Sequence, residues 1–235
     1  MIRLEGIEKR FGHKVALGKL DLSVPKGRIV ALVGANGAGK STALQIAAGQ
    51  VIPDAGRVVL GGCDLASDPL GARRALGYLP QESPLPRALT VVETIEFFAA
   101  IRGAAEADAG EAMRLAGLDA ESKTLVRELS GGMRRKLAFA TAILGGATAI
   151  VLDEPFAGLD EASVVRFEDA LRRRREEAGI LVANHDLERT LDLADEVVAL
   201  RSGNVVHRGA SIDILPGRLR EILGGPASDE ASRRD

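Results

Sequence analysis

Gly34-Ala35-Asn36-Gly37-Ala38-Gly39-Lys40-Ser41 decides how this chain is read. The stretch has the glycines, lysine and hydroxyl of a loop that wraps phosphate. Glycines let the backbone curl until several N–H groups face one anion, and a helix beginning there adds partial positive charge. Lys40 has the reach for the outer phosphates of a nucleoside triphosphate. The Ser41 hydroxyl suits Mg²⁺, a hard cation that takes oxygen ligands. The flanks meet the structural requirement. Ile29-Val-Ala-Leu-Val33 is an unbroken apolar run, which predicts a strand covered on both faces. Lys40 to Ala48 then predicts a helix that stops near Gly49.

Upstream, Ile2–Ile7, Leu17–Val24 and Arg28–Val33 read as strands, with Pro25-Lys-Gly27 turning into the third. Downstream, Arg57–Leu60 reads as a strand with Gly61-Gly62 as its turn, and Ala75–Leu79 as another that ends at Pro80. From residue 84 to about 145 the pattern becomes helical. Val91–Ile101 and Glu111–Leu115 predict two helices, and Ser130 caps a third along Met133, Leu137, Thr141 and Leu144. Strands and helices then alternate again: Ala149–Leu152, a helix over Glu161–Ala178, Ile180–Ala183 and a short helix over Leu187–Leu193. Glu196–Leu200 and Val205–His207 predict a hairpin across Ser202-Gly203-Asn204. Residues 1–225 read as one domain without internal repeat, followed by a polar, frayed tail at 226–235.

Ala149-Ile-Val-Leu-Asp153-Glu154 offers the second half of a phosphate-transfer site. Open α/β sheets bind ligands at the carboxyl ends of their strands, where Asp153 falls. Asp153 would hold Mg²⁺ through water, and Glu154 would orient and polarise an attacking water.

Composition narrows the alternatives. With 31 basic and 33 acidic side chains the net charge is −2, which gives no electrostatic footprint for nucleic acid. No Trp, one Tyr and six Phe leave a core of Val, Leu, Ile and Ala. Cys63 is the single cysteine, so no disulfide closes within the chain, and His13, His185 and His207 lack metal-ligand spacing. The chain has no run of roughly 20 apolar residues. It is therefore expected to work in a reducing cytoplasm and to leave any membrane pore to a partner. Arg172-Arg-Arg-Arg175 complements the C-terminal end of its helix and reads as a solvated face.

Leu129-Ser130-Gly131-Gly132-Met133 adds a third element. With it, the chain resembles the ATP-binding cassette (ABC) proteins, whose signature is usually LSGGQ. Met133 replaces the usual Gln. The other landmarks of the family follow in order, so the resemblance runs from about Ile2 to Gly209. It implies an α/β fold: a P-loop NTPase (RecA-like) parallel-sheet core, an N-terminal antiparallel β subdomain and an inserted α-helical subdomain. It implies that Gly34–Ser41 and Thr42 bind ATP and that Phe11 stacks on adenine. Gln81, in Gly77-Tyr-Leu-Pro-Gln81, resembles the Q-loop and would contact Mg²⁺ or the water. Asp160, in Ala157-Gly-Leu-Asp160, resembles the D-loop. His185 resembles the switch histidine, which would bond the γ-phosphate and hold Glu154.

The resemblance also implies partners. A second ABC subunit would bind head to tail, with Leu129–Met133 of one subunit closing on the ATP of the other. An integral membrane permease would dock near Gln81–Val92 and place the chain at the cytoplasmic face of the membrane. Three readings stay open: a transporter ATPase, a soluble ABC protein of translation or DNA repair, and another P-loop enzyme such as a small kinase. The kinase leaves Leu129–Met133 and His185 unexplained, and the lone short cassette favours the transporter. Leu129–Leu137 and Leu89–Gly103 resemble the ABC-2-type exporter group, which implies export, although importer ATPases share every catalytic motif.

Overall fold

In the computed structural model, which describes residues 1–82 and 85–224, the chain opens with two long antiparallel strands, β1 (Ile2–Phe11) and β2 (Lys14–Val24). Strand β3 (Ile29–Gly34) leads into helix α1 (Lys40–Ala47), and β4 (Ala55–Leu60) and β5 (Cys63–Asp64) complete a first, antiparallel sheet in the order β2-β1-β4-β5. Helix α2 (Pro69–Ala75) and strand β6 (Leu76–Leu79) follow, then helices α3 (Val91–Arg102), α4 (Glu106–Ala116) and α5 (Gly131–Ile143). The rest alternates: β7 (Ala149–Asp153), α6 (Glu161–Arg174), β8 (Gly179–Ala183), α7 (Leu187–Leu193), the hairpin β9 (Glu196–Arg201) and β10 (Asn204–Ala210), and α8 (Pro216–Leu223).

The second sheet has the order β10-β9-β3-β8-β7-β6, parallel throughout except for the β9–β10 hairpin. Its central strands explain the unbroken apolar runs. Ile29, Ala31 and Val33 of β3 face a core shared with α3–α6, whereas Val30 and Leu32 face a core shared with α1 and the antiparallel sheet. Ile150 and Leu152 of β7 divide from Ala149 and Val151 in the same way. Both faces are buried, so period-2 alternation vanishes from the sequence.

The larger core is anchored by aromatic rings. Phe139 of α5 stacks on Phe167 of α6 at 3.9 Å between centroids, 7° from parallel, and both rings are fully buried. The second half of α5 therefore belongs to the main core as much as to the helical insert. Phe139→Ala is expected to lower unfolding stability by about 3–5 kcal/mol, because a packed site of this kind collapses poorly onto a cavity. Urea unfolding monitored by far-UV circular dichroism checks this.

Several limits differ from the sequence reading. Ala75 closes α2 rather than opening β6, and α2, β5 and α8 lie in stretches assigned no element. The helix from Glu161 ends at Arg174, four residues early. There the Arg172–Arg175 cluster is not simply a solvated face. Arg174 donates to the carbonyls of Ile143 and Ala147, and Arg175 pairs with Asp195 at 3.2 Å, so two of the four arginines fasten the helix end to neighbouring loops. Residues 83 and 84, where the helical stretch and the docking stretch Gln81–Val92 were expected to run, and the tail at 226–235 lie outside the described residues.

Candidate active site

Because β3, β8, β7 and β6 are parallel neighbours, their carboxyl ends share one edge of the sheet. The Gly34–Ser41 loop leaves the end of β3, Asn184-His185 the end of β8, Asp153-Glu154 the end of β7, and Pro80-Gln81 the end of β6. Motifs more than a hundred residues apart in sequence thus meet. They line a cleft of about 240 Å³ whose walls include Phe11, Asn36, Gly37, Gly39, Lys40, Ser41, Thr42, Gln81, Glu154 and His185.

The loop is built for close backbone approach. Gly37 and Gly39 have φ of 79° and 108°, a left-handed region where side chains are strained. A Cβ on Gly39 would also lie 2.6 Å from the Ala16 carbonyl oxygen. The Lys40 ammonium is buried and donates to the carbonyls of Gly34 (2.6 Å) and Ala35 (3.2 Å), which holds it across the loop mouth. Burial pushes the Lys40 pKa down, while Glu154 and Asp153 pull it back up.

Asp153 and Glu154 are both buried. Burial pushes the Asp153 carboxyl up, opposed by a hydrogen bond with Ser41 and by Lys40, Arg135 and His185. Burial likewise pushes Glu154 up, with His185 opposing and Asp153 reinforcing. Nδ1 of His185 lies 2.9 Å from Oε1 of Glu154, and the backbone N–H of His185 donates to the Asn184 side chain at 2.9 Å. Glu154 adopts φ of 51°, unusual for a residue with a side chain.

Two adjacent buried carboxyls beside a serine hydroxyl are a donor set that gains from a divalent cation. Among the described residues no group of three or more His, Cys, Asp or Glu could hold a metal alone. Such a cation would need oxygens from its ligand, as Mg²⁺ does when bound with phosphates.

Leu129–Met133 lies elsewhere. Ser130 caps α5, its hydroxyl accepting from the Met133 N–H at 3.2 Å, and Ser130 and Gly131 are exposed. None of the five residues lines the cleft. Met133 turns inward and packs partly against the core.

A family model described as ABC transporter matches residues 17–157, more than half of the chain. The ATP-binding protein LptB of the lipopolysaccharide export system of Escherichia coli (strain K12) is 32% identical over 219 residues, covering 90% of this chain and 91% of LptB. The chain belongs to the ABC transporter family. The sulfate/thiosulfate import ATP-binding protein CysA of Burkholderia mallei is 36% identical over 220 residues, 89% of this chain. The chain spans only 62% of that relative's length. Among solved structures, the bacterial ABC transporter cassette MJ0796, determined as a dimer, superposes with a TM-score of 0.81 at 25% identity, covering 90% of this chain and 99% of that one. A post-hydrolysis dimer of the same cassette, bound to ADP and Pi, gives a TM-score of 0.79.

Of the ABC landmarks read from the sequence, the cleft gathers the P-loop, Gln81, Glu154, His185 and Phe11, with Asp153 beneath them bonded to Ser41. Phe11 is 52% exposed rather than core, and the Lys9 ammonium sits 5.4 Å from its ring centre. Asp160, expected from the resemblance to belong to the D-loop, is the N-cap of α6. Its carboxylate accepts from the Ser163 N–H and hydroxyl and from Lys136 of the signature helix at 2.8 Å, and these bonds hold its pKa down. A Cβ added at Gly132 would sit 3.8 Å from the Gly158 carbonyl oxygen, which places the two loops near one another.

Sequence reasoning missed Lys14 and Ala16, which line the cleft from β2, and Arg135, which holds the loops behind it. For Arg135 a signal existed: a charge three and four residues before Ala138 and Phe139, on a face of α5 that enters the core.

Proposed function

We propose that this chain is the ATP-binding and ATP-hydrolysing subunit of an ABC membrane transporter, working as a head-to-tail dimer on a separate permease. The observation that carries the reading is the split geometry. Lys40, Ser41, Gln81, Glu154 and His185 line one cleft, with Asp153 behind them, while Ser130 and Gly131 stand exposed outside it. A helix N-terminus suits an anion, and none of Leu129–Met133 lines the cleft of its own subunit.

In this reading Lys40 and the loop amides hold the β- and γ-phosphates, and Phe11 stacks on the adenine. Ser41, Asp153 and Gln81 are the residues that would hold Mg²⁺, which neutralises charge on the phosphates when bound. Glu154 orients a water and takes its proton as the water oxygen bonds the γ-phosphorus. The bond to the β–γ bridging oxygen breaks, leaving ADP and phosphate. His185 keeps Glu154 in place and reaches the γ-phosphate. Leu129–Met133 of a second subunit closes the site, and product release reopens it.

Among the described residues no helix is long and apolar enough to cross a membrane. We place the chain at the cytoplasmic face of the membrane on that permease. The names of the relatives carry both import and export. The assignment of export rests on the runs Leu129–Leu137 and Leu89–Gly103. The experiment is copurification from solubilised membranes together with turnover against protein concentration. A stoichiometric integral membrane partner and a specific activity that rises with concentration are expected. Association with ribosomes or DNA instead, or full turnover at monomer dilution, would contradict the proposal.

A further inference from the structure

The signature helix carries a buried cation that the chemistry above leaves without a role. Arg135 is 7% exposed, and its guanidinium spans two loops. Nη1 donates to the carbonyls of Pro80 (2.7 Å) and Gln81 (3.0 Å). Nη2 donates to the carbonyls of Asp153 (2.7 Å) and Glu154. One planar group thus ties the end of β6 to the end of β7 and fastens both to α5.

The choice of partners separates this from ordinary core bracing. Two of these carbonyls belong to residues that line the cleft, Gln81 and Glu154. Glu154 needs such support. Its φ of 51° is a conformation that side-chain-bearing residues hold only at a cost, and surrounding bonds must fix it. The Glu154 N–H is held by the Ala183 carbonyl at 2.9 Å, and Arg135 holds the carbonyl on the other side. With the peptides on both sides of the Glu154 Cα held, the side chain is directed toward His185. Lysine could not substitute fully: an ammonium is a point donor, whereas the guanidinium fork reaches two pairs of carbonyls in fixed directions.

We propose that Arg135 is a positioning residue for hydrolysis, fixing the backbones of Gln81 and Glu154 so that both side chains meet the nucleotide in register. The inference rests on Glu154 being the base. A misplacement on the order of 1 Å in a catalytic group can cost about a hundredfold in rate.

The test uses Arg135→Lys and Arg135→Met in the full chain, each also combined with Glu154→Gln, with radiolabelled phosphate release as the readout. Arg135→Lys should lower kcat about 10- to 100-fold while KM for ATP stays within about threefold, and Arg135→Met should fall further. In the Glu154→Gln background Arg135→Lys should cost clearly less than in the wild-type background, since only Gln81 remains to be positioned. If Arg135→Met does not fold, Arg135→Lys carries the test. A kcat for Arg135→Lys within about twofold of wild type overturns the proposal, as does an equal loss in both backgrounds, which marks a purely structural brace. Full turnover in Glu154→Gln itself overturns the base assignment and the inference with it. A collapsed Glu154→Gln beside an undiminished Arg135→Lys overturns the positioning role alone.

Discussion

Glu154→Gln is expected to lower ATP turnover by about 10²- to 10⁴-fold, the range lost with a general base, while leaving ATP binding intact. The substitution keeps the size of the side chain and a carbonyl oxygen where Oε1 now lies 2.9 Å from His185 Nδ1. It removes the capacity to accept a proton. The fold should not suffer. Glu154 is buried, and burial already disfavours its charge, so a neutral amide relieves that cost. The expected signature is therefore a protein of undiminished thermal stability that binds ATP, accumulates as an ATP-bound dimer in size-exclusion chromatography and scarcely releases phosphate. Turnover near the wild-type rate would remove Glu154 from the role of base.

Lys40→Ala should act at the earlier step. The ammonium is buried at the loop mouth, where it donates to Gly34 and Ala35. When phosphate enters, those carbonyls are exchanged for phosphate oxygens. A hydrogen bond to a charged group is worth about 1.5–3 kcal/mol, so affinity for ATP should fall about 10- to 150-fold. Burial pushes the pKa of Lys40 down, but Asp153 and Glu154 support its charged form. Removing it takes one of the counter-charges from the two carboxyls, and turnover should fall further than affinity. Isothermal titration with ATP in the absence of turnover measures the first effect. Affinity within about twofold of wild type would mean that the loop amides alone bind the nucleotide.

Much of this was legible in the sequence because the motifs are also structural punctuation. Gly39 and Gly49 bound α1, Ser130 caps α5, and Asp160 and Asp186 cap α6 and α7, so the residues that serve chemistry also mark element ends. The parallel order explains why one-dimensional motifs sufficed: each adjacent strand end contributes one of them. Elements built from weak or polar runs escaped. α2 and α8 are short helices whose buried sets reduce to Ala72 and Leu219, too sparse for periodicity to register. Arg135 escaped for a different reason. Its role depends on four backbone carbonyls from two other elements, and side-chain patterns do not encode carbonyl positions. The exposure of Phe11 was open for the same reason: an aromatic residue near a strand end serves a core or a ligand equally well until the neighbouring strands are placed.

The central claim is that each site is completed by the other subunit. It can be tested by mixing two inactive variants. Lys40→Ala disables a P-loop, and Gly132→Asp places negative charge at a signature where a Cβ meets nothing nearer than the Gly158 carbonyl oxygen at 3.8 Å, so the fold should tolerate it. In a two-fold head-to-tail dimer, a mixed pair joins the intact P-loop of the Gly132→Asp subunit to the intact signature of the Lys40→Ala subunit. Neither variant should turn over ATP alone, and an equal mixture should recover up to about a quarter of the wild-type rate, since half the dimers are mixed and each holds one good site. A mixture as inactive as its components would contradict the shared site and return hydrolysis to the single subunit.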